Sequence, residues 1–363
     1  MDKRAYTGNY LEISTQALAR NARTVVEYVK TPVIGVIKFD GYGVTLPVAA
    51  RAWQEAGVTM FAVSESWEAL ALREAGFTED ILLLAPVADA ATLKTLLDSN
   101  IILTVADLEN GRFYQANRGD AQPRVHVKVD TGMGRFGIRW TDTEQLTAVY
   151  ELEGLRFEGI FSHFGKSFEK KYKLTGLQLS RFLGAVEAVE QAGFQPGMRH
   201  IANSCAALRF PQTRLDAVRI GSALVGALIA PVPVTLEPVH TFKAQVVARK
   251  ALKKGDTMGY ASVCKAKRDL TAIVVAVGQD HGFGMTGAPD PFPLLDLGVH
   301  IYHLLQRYLH PPCAAAEGKK LPLIGRVGSQ YTLFDATGTD VKPGDYVTVK
   351  VPLLHCGSRR EFR

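Results

Sequence analysis

Cysteine is scarce in this 363-residue chain, and its four residues (Cys205, Cys264, Cys313 and Cys356) stand far apart with no C-x-x-C pair. That spacing argues against a disulfide framework and a thiolate zinc site, and it predicts a protein of the reducing cytoplasm. No apolar run reaches the ~20 residues that a membrane span requires. Nor does an apolar signal core follow Met1-Asp2-Lys3-Arg4, which runs into polar sequence. Charge of one sign is never gathered into a long block: 42 Lys and Arg against 36 Asp and Glu leave a formal +6 spread along the chain. Pairs such as Lys170-Lys171 and Lys319-Lys320 read as solvated loops rather than a nucleic-acid stripe, so neither nucleic acid nor membrane is an expected partner. Hydrophobic residues at 47% and charged residues at 21% describe a globular chain with apolar surface enough for a core. At typical sizes of ~100–200 residues per domain, its length predicts two domains, or one large barrel with an appendage.

What is present is a repeat. Eight apolar or β-branched runs lie at 32–37, 60–63, 81–85, 101–105, 124–129, 157–161, 199–202 and 217–220. Gly, Pro, Ser or Asn breaks punctuate them, and longer amphipathic stretches lie between. In 65–75, Trp67, Leu70, Ala71 and Glu74 fall at i, i+3, i+4 and i+7; in 177–192, Leu177, Phe182, Val186 and Val189 fall at helical spacing. Parallel strands need a crossover, and these crossovers are helical. The pattern therefore predicts an α/β fold, a (β/α)₈ TIM-like barrel. Pro231-Val232-Pro233 marks a link, after which alternating runs at 239–249, 271–277 and 346–351 appear without intervening helices. These predict a mainly antiparallel β domain. The expected division is a barrel over 1–232 and a β domain over 233–363, with residues 1–13 able to join the second domain's sheet.

A barrel carries its chemistry at the C-terminal ends of its strands. Those ends hold Lys38 followed by Phe39-Asp40-Gly41-Tyr42-Gly43, then Lys128 through Arg135, Ser162-His163, Asn203-Ser204, and Arg219-Ile220-Gly221-Ser222. Singly, each has an ordinary explanation: a snorkelling lysine, a satisfied core histidine, a salt-bridged arginine. Together at one mouth they form a polar constellation that an apolar core would not tolerate unpaired. A lysine buried there near Arg135 and Arg219 has a lowered pKa and can form a Schiff base with a carbonyl. Ser204 and the N–H groups of Gly221 and Ser222 can cradle a phosphate, and Tyr42 adds a phenolic donor. A Schiff-base lysine with a phosphate cup is what pyridoxal 5'-phosphate requires, and no group with metal-ligand spacing lies nearby.

The run Val36-Ile37-Lys38-Phe39-Asp40-Gly41-Tyr42-Gly43 resembles the lysine motif of the alanine racemases, a pyridoxal-phosphate family. Similar matches are Val127 through Gly137, Ser162-His163-Phe164, Ala202 through Phe210, Val218 through Leu224, and Gly259-Tyr260. The resemblance implies an amino-acid racemase, with alanine as the default substrate, working as a homodimer with shared active sites. Lys38 would hold the cofactor and act as one base; Tyr260, from the partner's β domain, would be the opposite base. Arg219 would face the pyridine nitrogen, with His163 hydrogen-bonded to it. Arg135 would contact the cofactor and the substrate carboxylate, oriented by Lys128, which in relatives can be carbamylated. Tyr42, Asn203, Ser204, Gly221 and Ser222 complete the cofactor set. An arginine at the pyridine nitrogen donates and leaves it unprotonated, so the ring is a weaker electron sink than one paired with a carboxylate.

Three positions depart from the family pattern. Gly325-Arg326-Val327 leads to Gly328-Ser329-Gln330 where a Cys-Met-Asp run is usual. Gly278-Gln279-Asp280-His281-Gly282-Phe283 carries Gln279 in place of an active-site tyrosine, and near Pro352 through Gly357 no counterpart of a late tyrosine is found. A pocket without two phenols has room for a larger or polar amino acid. Racemisation of such a substrate and a catalytically silent pyridoxal-phosphate-binding homologue are the alternatives. A decarboxylase of the same barrel class is opposed by Arg219.

Overall fold

The computed structural model describes residues 8–168, 171–228, 230–259, 262–285, 297–351 and 359–363. Two compact units divide it: Thr15–Val239, and His240–Arg363 together with the chain before Thr15.

In the first unit, strands β2 (Val33–Val36), β3 (Met60–Val63), β4 (Asp80–Leu83), β5 (Leu103–Val105), β6 (Arg124–Asp130), β8 (Arg156–Phe161), β9 (Met198–His200) and β10 (Val218–Ile220) follow one another, with the short β7 (Ile138–Arg139) beside β6. All pair in parallel, in two arcs, β10-β2-β3-β4 and β5-β6-β8-β9. Parallel bridges Leu82 to Ile102 and His200 to Ala217 join the arcs at both seams, so the sheet closes into the expected eight-stranded barrel. Its strands are short and buried on both faces, which is why they read in the sequence as apolar runs rather than as alternation.

Ile34, Met60, Ala62, Leu82, Ile102 and Ala217 pack into one cluster drawn from successive strands. Each of the larger side chains contributes roughly 1.5–3 kcal/mol of burial. The surrounding helices begin where the chain supplies an acceptor for their first free amides. Asp89, Asp107 and Asp142 accept from the amides of Thr92, Asn110 and Gln145, and Glu65 with Glu68 forms a capping box on the helix Ser66–Glu74. The stretch beyond the last barrel strand stays with this unit. Buried Asn21 exchanges two 2.8 Å hydrogen bonds with the Glu237 backbone, while Arg20 pairs with the Glu237 carboxylate at 2.7 Å.

The second unit is a sheet of β1 (Tyr10–Ile13), β11 (His240–Leu252), β14 (Leu270–Val275), β15 (Cys313–Ala316), β16 (Lys319–Ile324), β17 (Thr332–Asp335), β18 (Tyr346–Val349) and β19 (Arg359–Phe362). A hairpin of β12 (Thr257–Met258) and β13 (Cys264–Lys265) lies outside it. Pairing is antiparallel except between β1 and β19. The 13-residue β11 closes the sheet on itself: its first half pairs β18 and its second half β14, with an irregularity between Val246 and Ala248. The alternating-strand reading omitted one element here, the helix Leu297–Leu309. Ile301, Tyr302, Leu304, Leu305, Tyr308 and Leu309 on it are all exposed, yet they fall at i, i+3, i+4 and i+7 spacing on one face, a helical period that the alternating-strand reading passed over.

At the N-terminal end of the barrel, the Arg124 guanidinium bridges Asp80 (2.7 Å) and Glu158 (2.8 Å), with 19% of its side chain exposed. Arg124→Met would leave both carboxylates without this partner. The expected result is a loss of about 1–3 kcal/mol in the barrel's urea-denaturation free energy.

Candidate active site

Residues singled out in the sequence gather at the C-terminal mouth of the first unit. Lys38 lies two residues beyond β2, where the Ile37 amide still pairs with the Ala62 carbonyl at 2.8 Å. Burial, and then the charge of Arg135, lower the Lys38 pKa, which favours the neutral amine.

Directly after it the backbone turns left-handed. Phe39, Asp40, Gly41 and Tyr42 have φ of 53, 52, 68 and 56°, and the Tyr42 amide donates to the Lys38 carbonyl at 2.8 Å. Each non-glycine residue in that region costs about 1–2 kcal/mol, so the turn persists only because its surroundings hold it. The Asp40 carboxylate accepts from the Leu46 amide (2.9 Å), and Gly43 at φ 84° ends the turn.

The turn delivers the Tyr42 hydroxyl to Gly221. A Cβ at Gly221 would lie 2.1 Å from that oxygen, so only glycine leaves room for it. Ser204 Oγ accepts from the amides of Gly221 (3.2 Å) and Ala223 (3.4 Å), and Ser222 opens the short 3₁₀ turn that follows. Asn203 acts locally, since its Oδ1 accepts from Ser167 Oγ (2.7 Å) and from the Ala206 amide (3.1 Å), capping the helix Ser204–Arg209. Burial pushes the Tyr42 phenol above its usual range, so it stays protonated as a donor.

Arg219 lies inside the barrel, 3% exposed. Its Nη1 donates to the His200 carbonyl (3.0 Å), and its Nη2 donates to the Ser162 carbonyl (2.5 Å) and lies 3.2 Å from His163 Nδ1. Burial pulls its pKa down to about 9, still above neutral, so the guanidinium remains charged. His163 is driven well below its usual pKa by burial and then by Arg219, which leaves it neutral and able to accept.

Lys128 sits on β6 with its amine 4.9 Å from the centre of the Phe161 ring and 5.9 Å from that of Phe136. Burial, Arg219 and Arg135 together bring its pKa to about 7. Arg135 itself is exposed, on a loop fixed by Asp130, whose carboxylate accepts from the amides of Gly132 (2.9 Å), Met133 (2.8 Å) and Gly134 (3.0 Å). Burial opposes those bonds, but together they hold Asp130 below the ordinary carboxylate pKa.

Tyr260 lies outside the described residues. Its neighbour Gly259 packs against Gly325 in the second unit, their α-carbons bare of side chains. In the same unit the two divergent loops meet: the Gln279 amide donates to the Gly328 carbonyl (3.0 Å) and the Asp280 amide to the Ser329 carbonyl (3.1 Å). Pro352 through Gly357 also lie outside the described residues. Among the described residues, no cluster of three His, Cys, Asp or Glu side chains could hold a metal ion.

Sequence reading missed two residues that belong to this network, His126 and His200. Arg219 Nη1 is 2.7 Å from His200 Nδ1, and His200 Nε2 is 2.8 Å from His126 Nδ1. His126 falls two residues before Lys128 on β6, hence on the same face of the strand, which was the available signal. Burial and Arg219 depress both, His126 to about 3. The arrangement is therefore a charged guanidinium tethered by neutral imidazoles, beneath amines of lowered basicity.

Two family models match the chain: "Alanine racemase, N-terminal domain" over residues 13–228 and "Alanine racemase, C-terminal domain" over 239–353. An alanine racemase of Desulfosudis oleivorans is 30% identical over 359 residues, covering 94% of this chain and 86% of that protein. Among solved structures, an alanine racemase of Clostridium difficile superposes with a TM-score of 0.85 at 22% identity, covering 99% of this chain and 96% of that one. A histidine racemase of Leuconostoc mesenteroides does so at 0.83 and 22%, covering 99% and 98%.

The Lys128 pKa of about 7 lies below the ordinary 10.5, so its buried charge opposes folding fully below pH 7, and the penalty fades as pH rises toward 10.5. In carbonate-free buffer, Lys128→Met should melt roughly 3 °C or more above wild type at pH 6, with the gap closing by pH 10. A gap independent of pH would assign the difference to packing.

Proposed function

The chain belongs to the alanine racemase family and is an amino-acid racemase; from that premise we propose that it interconverts L- and D-alanine with pyridoxal 5'-phosphate bound at the mouth of the first unit. The observation that carries this reading is a Lys38 amine of lowered basicity in the same mouth as a buried, charged Arg219 whose tethers are neutral imidazoles and carbonyls. The residues present fit the cofactor. Gly221 is a cradle that a Cβ would fill against the Tyr42 hydroxyl, Ser204 stands beside it, and the lowered Lys38 amine can condense with an aldehyde.

When bound, the cofactor supplies a sink for the electron pair left at Cα as its proton departs. Lys38, Tyr42, Ser204, Gly221 and Ser222 would hold it, with Asn203 contributing through the helix that it caps, and Arg219 would donate toward its ring nitrogen with His163 behind it. Arg135, on the loop that Asp130 fixes, takes the substrate carboxylate, and Lys128 orients it. Two bases act from opposite sides of Cα: the Lys38 amine removes the proton on one side while the Tyr260 hydroxyl delivers its own on the other, and the reverse reaction exchanges their roles. Tyr260 would come from a second copy, so the working unit is a homodimer with shared sites. The cytoplasm is its proposed location, in keeping with widely spaced cysteines.

A second reading, a larger or polar amino acid, is favoured by Gln279 and by Gly328-Ser329-Gln330, two loops that contact each other. One methylene shifts selectivity by only ~1–3 kcal/mol, so loop changes of this size can move the preference.

A panel of L-amino acids in D₂O, scored for the D-enantiomer, for deuterium at Cα and for released CO₂, tests both readings. Alanine should invert fastest; faster inversion of another amino acid would favour the second. Exchange with CO₂ release, or no reaction at all, would defeat the proposal. Lys38→Ala and Tyr260→Phe should each lower alanine inversion by about 10²–10⁴-fold or more. Only the first should abolish the borohydride-reducible cofactor adduct.

A further inference from the structure

The helix Lys173–Gln191 buries Leu179, Phe182, Val186 and Val189 along one stripe, and Gln178 stands in that stripe although it is polar. It is 1% exposed, so each of its amide atoms needs a partner inside the protein. Its Oε1 accepts from the amide of Gly165, two residues beyond His163, at 3.1 Å. Its Nε2 then faces the hydroxyl of Thr131, next to Asp130, at 3.5 Å. A carboxamide N–H only donates, so the Thr131 oxygen accepts and directs its own hydrogen to Ser162 Oγ, 3.0 Å away. Thr131 and Ser162 are buried as well, and the Ser162 carbonyl is the one that accepts from Arg219. Farther along the same helix, Arg181 donates to the Thr131 carbonyl at 3.0 Å, with its guanidinium 5.1 Å from the centre of the Trp140 ring. Trp140 lies at the other end of the Arg135 loop, its amide donating to the Asp130 carbonyl at 3.1 Å.

We propose that Gln178 is a positioning residue for the reaction: its buried carboxamide ties the loop that carries Arg135 to the strand end that carries His163, and so sets where the Arg135 guanidinium meets the substrate. The role rests on the reading of Arg135 as the group that takes the substrate carboxylate. Asp130 folds the Arg135 loop through the amides of Gly132, Met133 and Gly134, but those bonds are internal to the loop. Gln178 and Arg181 fix it from outside, Gln178 from 47 residues away in the chain. Packing alone does not account for Gln178, since an apolar side chain fills such a stripe without an amide to satisfy. A carboxamide accepts a backbone N–H on one side while donating to a hydroxyl on the other, and an apolar side chain does neither.

The test compares wild type with Gln178→Met, Thr131→Val and Arg135→Ala, and with Gln178→Met combined with Arg135→Ala. Backbone hydrogen exchange is followed over 131–137 and 163–167. Inversion of the amino acid that wild type turns over fastest is resolved into kcat and KM on the pyridoxal-phosphate enzyme, and the borohydride-trapped Lys38 adduct reports cofactor loading. Gln178→Met should exchange ~10-fold or more faster over both segments, as expected for buried groups left unpaired. Its KM should rise ~10-fold with a smaller change in kcat, while the Lys38 adduct forms as in wild type. Thr131→Val, which removes one hydroxyl, should raise KM in the same direction and loosen 131–137 only. Without Arg135, Gln178→Met should change KM by no more than about 2-fold. Unchanged exchange over 131–137 in Gln178→Met, faster exchange with wild-type KM, or a KM rise that persists without Arg135 would overturn the proposal and leave Gln178 a packing residue. Should Gln178→Met fold poorly, Thr131→Val decides alone, and a wild-type KM there overturns the proposal. A wild-type KM in Arg135→Ala would instead overturn the reading of Arg135, and with it the role of Gln178 in the reaction.

Discussion

Crowded positive charge governs this site. Lys38, Lys128, Arg135 and Arg219 act on one another at a single barrel mouth, and the groups that oppose them are few: Glu68 at Lys38 and Asp130 at Lys128. Four cations with so little compensation cannot all keep their ordinary basicity once water is excluded. Arg219 keeps its charge with its pKa still at about 9, and the buried lysines yield. A neutral amine near pH 7 is the form that attacks a carbonyl or accepts a proton. The lowered basicity of Lys38 is thus a consequence of its burial and of the charge of Arg135.

Arg219 sets the floor of that arrangement, and its tethers matter as much as its charge. A carboxylate beside it would neutralise the guanidinium and relieve Lys128. Carbonyls and imidazoles satisfy its N–H groups without doing so. The imidazoles can serve because burial keeps them neutral: His200 accepts from Arg219 on one side and meets His126 on the other, with its ring stacked on Phe161 at 5.1 Å. Protonation of that chain would place a second charge against Arg219, and the low pKa values of both histidines keep such protonation far from neutral pH.

How much of this was legible in the sequence follows from which interactions are local. The eight strands read clearly because strands buried on both faces are apolar runs of fixed length, and the helices between them carry amphipathic period and capping acids. Lys38, His163, Arg219 and Ser204 were legible because barrel geometry dictates that strand ends face one mouth. Contacts between strands distant in the chain were not. His200 and His126 are 74 residues apart, and their link to Arg219 exists only once β6, β9 and β10 share an interior. The helix Leu297–Leu309 carries a legible i, i+3, i+4, i+7 period in Ile301, Leu304, Leu305 and Tyr308, and was passed over because the runs around it alternate.

Substrate choice is the part of the function that the barrel does not determine. A TM-score of 0.83 to a histidine racemase and 0.85 to an alanine racemase shows that one fold accommodates both names. Two of the features in which this chain departs from its family are on the second unit, where the backbone of Gly278 approaches Ser329 so closely that a Cβ would lie 2.3 Å from its carbonyl oxygen. Such contact couples the two loops through the main chain, where the Gln279 amide donates to the Gly328 carbonyl. The two divergent loops are thus joined by main-chain contacts into one packed piece of the second unit.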